Sequence, residues 1–166
     1  MAADQQLLNM IKKFICTIIF CLLAQTSFAA GDSGSDSDNY LEQYKAAKNL
    51  IKRGKKLELK GKNELALKRY NLAHKKLLEA HKVERRNPDI LNYLGFTLRK
   101  AGKYEQAEKY YLQGLEIKPD HNGINEYLGE LYVKTQRMDL AKERLAVLKN
   151  CKCEEYDELA EVINKK

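Results

Sequence analysis

From Tyr40 almost to the end of the chain, apolar residues recur every three or four positions with charged residues between them. Leu91, Leu94, Gly95 and Leu98 share one helical face; beyond the Ala101-Gly102 break, Tyr104, Ala107, Tyr111 and Leu115 share another. The plan returns as Leu128, Gly129 and Tyr132, followed by Met138, Ala141, Leu145 and Leu148. Upstream, Tyr40, Tyr44, Ala47 and Ile51 form one stripe and Ala66, Tyr70, Ala73, Leu77 and Ala80 another. β-Branched residues make no alternating runs, so the pattern predicts helices and gives strands little support. Helices should end before Pro88 and at Pro119, because the residue preceding a proline is pushed out of the helical region.

The stripes are copies of one another. GKNELALKRY at 61–70, GKYEQAEKYY at 102–111 and QRMDLAKERL at 136–145 align, the second and third starting 34 residues apart and the first and second 41 apart. A period of that size marks a stack of helical hairpins. Leu91, Leu94-Gly95, Leu98, Gly102, Tyr104, Ala107, Tyr111, Gly114 and Pro119 together resemble the tetratricopeptide repeat across 88–121. The next copy supplies Leu128-Gly129, Tyr132, Ala141 and Leu145, but has Gln136 in the turn-glycine slot, Leu148 in the second small slot and Cys153 where proline belongs.

The earliest copy keeps Gly54, Leu57, Gly61, Ala66, Tyr70 and Ala73, then inserts seven residues. Seven residues are about two helical turns and drift a buried stripe by only about 20°. One long helix from about Asn63 to Arg86 is therefore expected. The resemblance implies an all-α, right-handed superhelix of about three hairpins, with repeats over about 47–87, 88–121 and 122–153 and an extended second helix in the first. A stack needs a polar cap, and residues 154–166 supply one, with Tyr156, Leu159, Ala160 and Ile163 turned inward.

The N-terminal part follows a different grammar. Lys12 and Lys13 precede an apolar run from Phe14 to Ala24, and Ser27-Phe28-Ala29 follows with small residues where a signal peptidase cuts. Residues 1–29 are read as a signal peptide, with Met10 the true start and cleavage after Ala29. The alternative is an inner-membrane anchor, for which the 11-residue run is short against a span of about 20. Gly31 to Asn39, GDSGSDSDN, contains no apolar residue, so 30–39 is expected to be a flexible linker. Cleavage removes Lys12, Lys13 and Asp4, taking the formal charge from +7 to +6. It also removes Cys16 and Cys21, leaving Cys151 and Cys153 as a candidate disulfide in an oxidising, periplasmic or extracellular place.

Catalytic chemistry finds little footing. No serine, histidine and carboxylate fall at a suggestive spacing, and neither a glycine-rich phosphate loop nor a zinc pattern is present. No enzyme activity, metal or cofactor is expected. His74 and His81 stand two turns apart and read as solvated surface; His121 occupies a turn between repeats. A second functional class, a thiol-redox or assembly helper, rests on Cys151 and Cys153, although Glu154 and Glu155 would oppose a thiolate there.

Function is thereby assigned to surfaces. The resemblance implies an inner, concave wall made by the first helix of each hairpin, with partner-facing slots at Ile51, Lys55 and Glu58, then Asn92, Phe96 and Arg99, then Glu126, Glu130 and Val133. Lys55, Asn92, Phe96, Arg99, Glu126 and Glu130 are the expected partner-binding residues. Phe96 is expected either as an exposed hot spot or packed against the neighbouring repeat. The Lys, Asn and Arg group with which some relatives clamp a C-terminal carboxylate is not reproduced as a set. The basic run at 45–62 lacks the interleaved aromatics of single-strand binders. It reads as a solvated face open to an acidic partner or to weak contact with an anionic membrane surface, not to nucleic acid. The chain resembles small exported bacterial proteins with these repeats, which implies a cell-envelope scaffold with a protein or peptide partner.

Overall fold

The computed structural model describes residues 33–165, and their side chains from Asn39 onward; the expected signal peptide lies outside that range. Seven helices and no strand occur among the described residues: α1 (Ser33–Glu58), α2 (Asn63–Val83), α3 (Pro88–Lys100), α4 (Tyr104–Ile117), α5 (Asn122–Lys134), α6 (Met138–Leu148) and α7 (Glu154–Asn164). Three hairpins, α1–α2, α3–α4 and α5–α6, are followed by the cap α7.

The turn inside each hairpin is written three times with the same bonds. Lys62 N–H donates to Leu57 C=O at 2.9 Å, Lys103 to Leu98 at 2.9 Å and Arg137 to Tyr132 at 2.8 Å. Each is the long bond of a Schellman cap, whose penultimate residue must take positive φ. Gly61 and Gly102 do so at 70° and 76°; in the third turn Gln136 is held at 62°. The connections between hairpins are capped by side chains. Asn87 Oδ1 accepts from the backbone N–H groups of Asp89 and Ile90 at 3.0 and 3.2 Å, with Pro88 at the first helical position. His121 Nδ1 accepts from Ile124 N–H at 3.2 Å.

Small residues sit where helices cross. A Cβ on Gly54 would lie 2.4 Å from the Tyr70 ring, and one on Gly95 would lie 2.4 Å from the Tyr111 ring. Ala107 and Ala141 are fully buried. At Gly129 the corresponding contact comes from the cap, with Leu159 Cδ2 2.5 Å from where a Cβ would stand. Leu145, at the position matching Tyr111, is only half-buried.

The long helix of the first repeat is present: α2 has 21 residues against 14 in α4, and its stripe Ala66, Tyr70, Ala73, Leu77, Ala80 is buried throughout. It stops at Val83, short of Arg86, because Asn87 is committed to capping α3. One expectation needs correction. Helix α1 begins at Ser33, so most of the segment 30–39 expected as a flexible linker is helical. Once the apolar stripe from Tyr40 to Ile51 has nucleated the helix, each added residue gains a backbone bond at little further cost. Composition alone misses that cooperativity.

Candidate functional site: the inner wall and its basic groove

Helices α1, α3 and α5 bring the nine slots of the inner wall together, but few of them face solvent. Ile51 and Val133 are buried core residues. Glu58 accepts from Tyr70 Oη at 2.7 Å and from Lys100 Nζ at 2.8 Å. Phe96, expected as an exposed aromatic, is only 1% exposed. Its ring meets Tyr70 edge-on with centroids 5.4 Å apart and Tyr127 at 5.1 Å. Cations cover what remains, with Lys55 Nζ 5.4 Å and Arg99 Cζ 5.7 Å from the ring centre. Phe96 is thus a packing residue between repeats, the second of the two expected outcomes.

Lys55 and Arg99 are likewise engaged within the chain. Lys55 Nζ donates to Tyr127 Oη at 2.9 Å, reaching from α1 to α5. Arg99 forms an ion pair with Glu130, which ties α3 to α5. Asn92 is buried, and its Oδ1 has no protein partner.

Glu126 is 3% exposed. Burial raises its pKa first, then a hydrogen bond with Glu158 of α7 and the nearby Glu130 charge, so that it is pushed up to about 9. Burial and the neighbouring carboxylates thus disfavour its ionised form, and Glu126 faces the cap instead of offering a free anionic contact. Of the six expected partner-binding residues, then, Asn92, Phe96 and Glu126 are buried and Arg99 and Glu130 neutralise each other. Lys55 alone stays exposed. Slot position is set by repeat register, but exposure is set by which side chains of neighbouring helices are long enough to cover the slot.

What the wall offers is a groove of about 480 Å³ beside these slots, lined by Lys48, Ile51, Lys52, Lys55, Lys56 and Leu59 of the first hairpin with Tyr93 of α3 and Tyr127 of α5. Tyr93 packs on Tyr44 with ring centroids 6.0 Å apart, and Lys48 Nζ lies 5.3 Å from the Tyr44 ring. The two tyrosines were missed by slot mapping. The cations were legible, because Lys48, Lys52, Lys55 and Lys56 fall at the three- and four-residue spacings that share a helix face.

The histidines correct the reading of a solvated surface. His74 is half-buried, its Nδ1 2.9 Å from Thr97 Oγ1, and His81 stacks edge-on against Tyr110 at 6.1 Å. Burial, with Lys103 near His74 and Arg85 near His81, lowers both pKa values. Cys151 and Cys153 are joined in a disulfide with Cα atoms 5.2 Å apart, and Cys153 is the first residue before α7.

Residues 88–121, which are α3, α4 and the turn after them, match the tetratricopeptide repeat family. That stretch is a tetratricopeptide repeat. Among curated relatives, a TPR repeat-containing protein of Pseudomonas aeruginosa is 39% identical over 62 residues, covering 37% of this chain and 10% of the relative. A human protein O-mannosyl-transferase is 30% identical over 73 residues, covering 44% of this chain and 8% of its own length. The chain therefore spans about a tenth of the length of the curated relatives it matches.

Solved tetratricopeptide-repeat domains share the fold. The Arabidopsis OM64 domain has a TM-score of 0.54 at 16% identity, covering 74% of this chain and 98% of that domain. The Aspergillus fumigatus Sgt2 domain has a TM-score of 0.53 at 16% identity, covering 72% and 77%. The second domain of human RPAP3, solved in complex with HSP70 peptide SGPTIEEVD, has a TM-score of 0.50 at 20% identity, covering 76% and 99%.

Proposed function

We propose that this protein is a non-enzymatic, exported scaffold of the bacterial cell envelope that holds an acidic segment of a partner protein in the groove of its inner wall. The observation that carries the reading is the lining of the groove: Lys48, Lys52, Lys55 and Lys56 on one side, Tyr93 and Tyr127 on the other. Cations select carboxylates, and the tyrosines supply rigid apolar surface at small entropic cost. The second domain of human RPAP3, which shares the fold, was solved in complex with HSP70 peptide SGPTIEEVD, which supports a peptide partner. Export is supported by the signal-like grammar of residues 10–29, and an oxidising compartment by the Cys151–Cys153 bond.

Fluorescence polarisation with a labelled Glu- and Asp-rich peptide tests the groove. Lys52→Glu combined with Lys56→Glu should weaken binding at least about tenfold, while Cys151→Ser with Cys153→Ser should leave it unchanged. If the cysteine variant loses its cellular role and the folded charge variant binds normally, the groove reading fails and the thiols become the site. Mass spectrometry of the mature protein should find Ala30 at its N-terminus; retention of residues 10–29 would make it an anchored protein instead.

A further inference from the structure

We infer that the outer edge of α2 is a second interaction surface, a ridge that lies on an anionic lipid bilayer while the groove remains open. The first observation is charge. Residues 39–86 carry fifteen Lys and Arg against five Asp and Glu, a formal +10, whereas residues 87–165 carry twelve against fourteen, a formal −2. The excess is concentrated in one hairpin, and the ion pairs that α2 makes among the described residues occupy only Lys68 with Glu64 and Lys82 with Glu79.

The second observation is where apolar side chains reach solvent. Leu65, Leu72 and Val83 are 47%, 45% and 43% exposed, and Leu59 in the preceding turn is 88% exposed. At 100° per residue Leu65, Leu72 and Val83 fall on one flank of α2, with Arg69 and Lys76 on the same flank between them. His74 and His81, which meet α3 and α4 through Thr97 and Tyr110, lie on the opposite flank. The ridge therefore lies beside the buried stripe, on the flank turned away from the contacts with Thr97 and Tyr110. The two additional turns of α2 carry it on to Val83.

A row of apolar tips separated by cations is the pattern of a helix that lies in a membrane interface, the leucines dipping below the headgroups and the long basic chains reaching phosphate. A ridge needs a complementary groove on a folded partner, but a bilayer interface deforms to accept it. Charge complementarity selects anionic lipid, since each Lys or Arg near such a surface adds to binding and salt weakens it.

The chain contains no tryptophan, so single reporters can be introduced into the full-length protein. The indole of Leu72→Trp should shift to the blue and be quenched by brominated lipids in phosphatidylglycerol vesicles, and remain unchanged in pure phosphatidylcholine. Arg69→Glu with Lys76→Glu in that background should lower vesicle affinity at least about tenfold. Leu112→Trp, at an exposed position on α4, should stay unquenched, which separates contact at the ridge from contact made elsewhere in the chain. Circular dichroism confirms that each variant is helical. The inference is overturned if Leu72→Trp is unaffected by anionic vesicles, if Leu112→Trp is quenched equally, or if the shift occurs without lipid as protein concentration rises. That last outcome would make the occupant a second copy.

Discussion

At Gly54 the facing group is the Tyr70 ring, fixed by a hydrogen bond from its hydroxyl to Glu58 and by edge-on contact with Phe96. At Gly129 the facing group is Leu159, an aliphatic side chain brought by the cap. The first hairpin closes on its own residues and spends its surface on cations and exposed leucines. The last one borrows its closure from α7, and carries a buried acid and a residue in a glycine conformation at its turn. The same repeat plan tolerates both solutions, because it specifies that a small residue must face a large one without specifying which helix provides it.

The sharpest test of this contrast is Gly54→Ala against Gly129→Ala. The first forces a methyl into a ring that has nowhere to move and should cost about 2–3 kcal/mol in chemical denaturation. In the second, the Leu159 tip can turn and alanine regains about 1 kcal/mol of helix propensity, so the net change should stay within about 1 kcal/mol. Equal losses would break the comparison.

Next in size is Glu126→Gln. Because the folded pKa of Glu126 is raised, its contribution is fully present below the unfolded carboxylate value and is lost as pH rises from there towards about 9. The neutral isostere should therefore gain on the order of 2 kcal/mol at pH 8 and flatten the stability profile between pH 5 and pH 9. A wild-type profile that rises with pH across this window, with Glu126→Gln less stable than wild type, would mean that the acid is ionised and paired.

A smaller effect is expected at the turns. Gln136→Gly should stabilise by about 1 kcal/mol, relieving a left-handed residue that has a Cβ. Gly61→Ala, at φ 70° in the first hairpin, should cost about the same. Thermal melts of the two variants should move in opposite directions.

The smallest effect has the opposite pH sign to Glu126. His74 and His81 have lowered pKa values, so their contribution is present above the unfolded histidine value and is lost as pH falls through the folded one. Hydrogen exchange between pH 7.5 and pH 5.5, corrected for intrinsic rates, should show α2 opening more readily while the contact between α5 and α7 tightens. Parallel behaviour of the two ends would remove the distinction.

Helix number, the two glycine turns and the extended α2 were legible because each is a local rule: periodicity, a glycine in the turn slot, an insertion of two whole turns. The 34-residue period likewise placed Asn92 and Glu126 in equivalent positions. None of these rules reports distance between residues far apart in the chain. That Lys55 reaches Tyr127, that Phe96 is sealed between Tyr70 and Tyr127, and that Glu126 meets Glu158 depend on how closely α1, α3, α5 and α7 approach. Burial and pKa follow from that approach, so the sequence by itself determined which residues share the inner wall, and only the tertiary structure decided which of them remain free to bind.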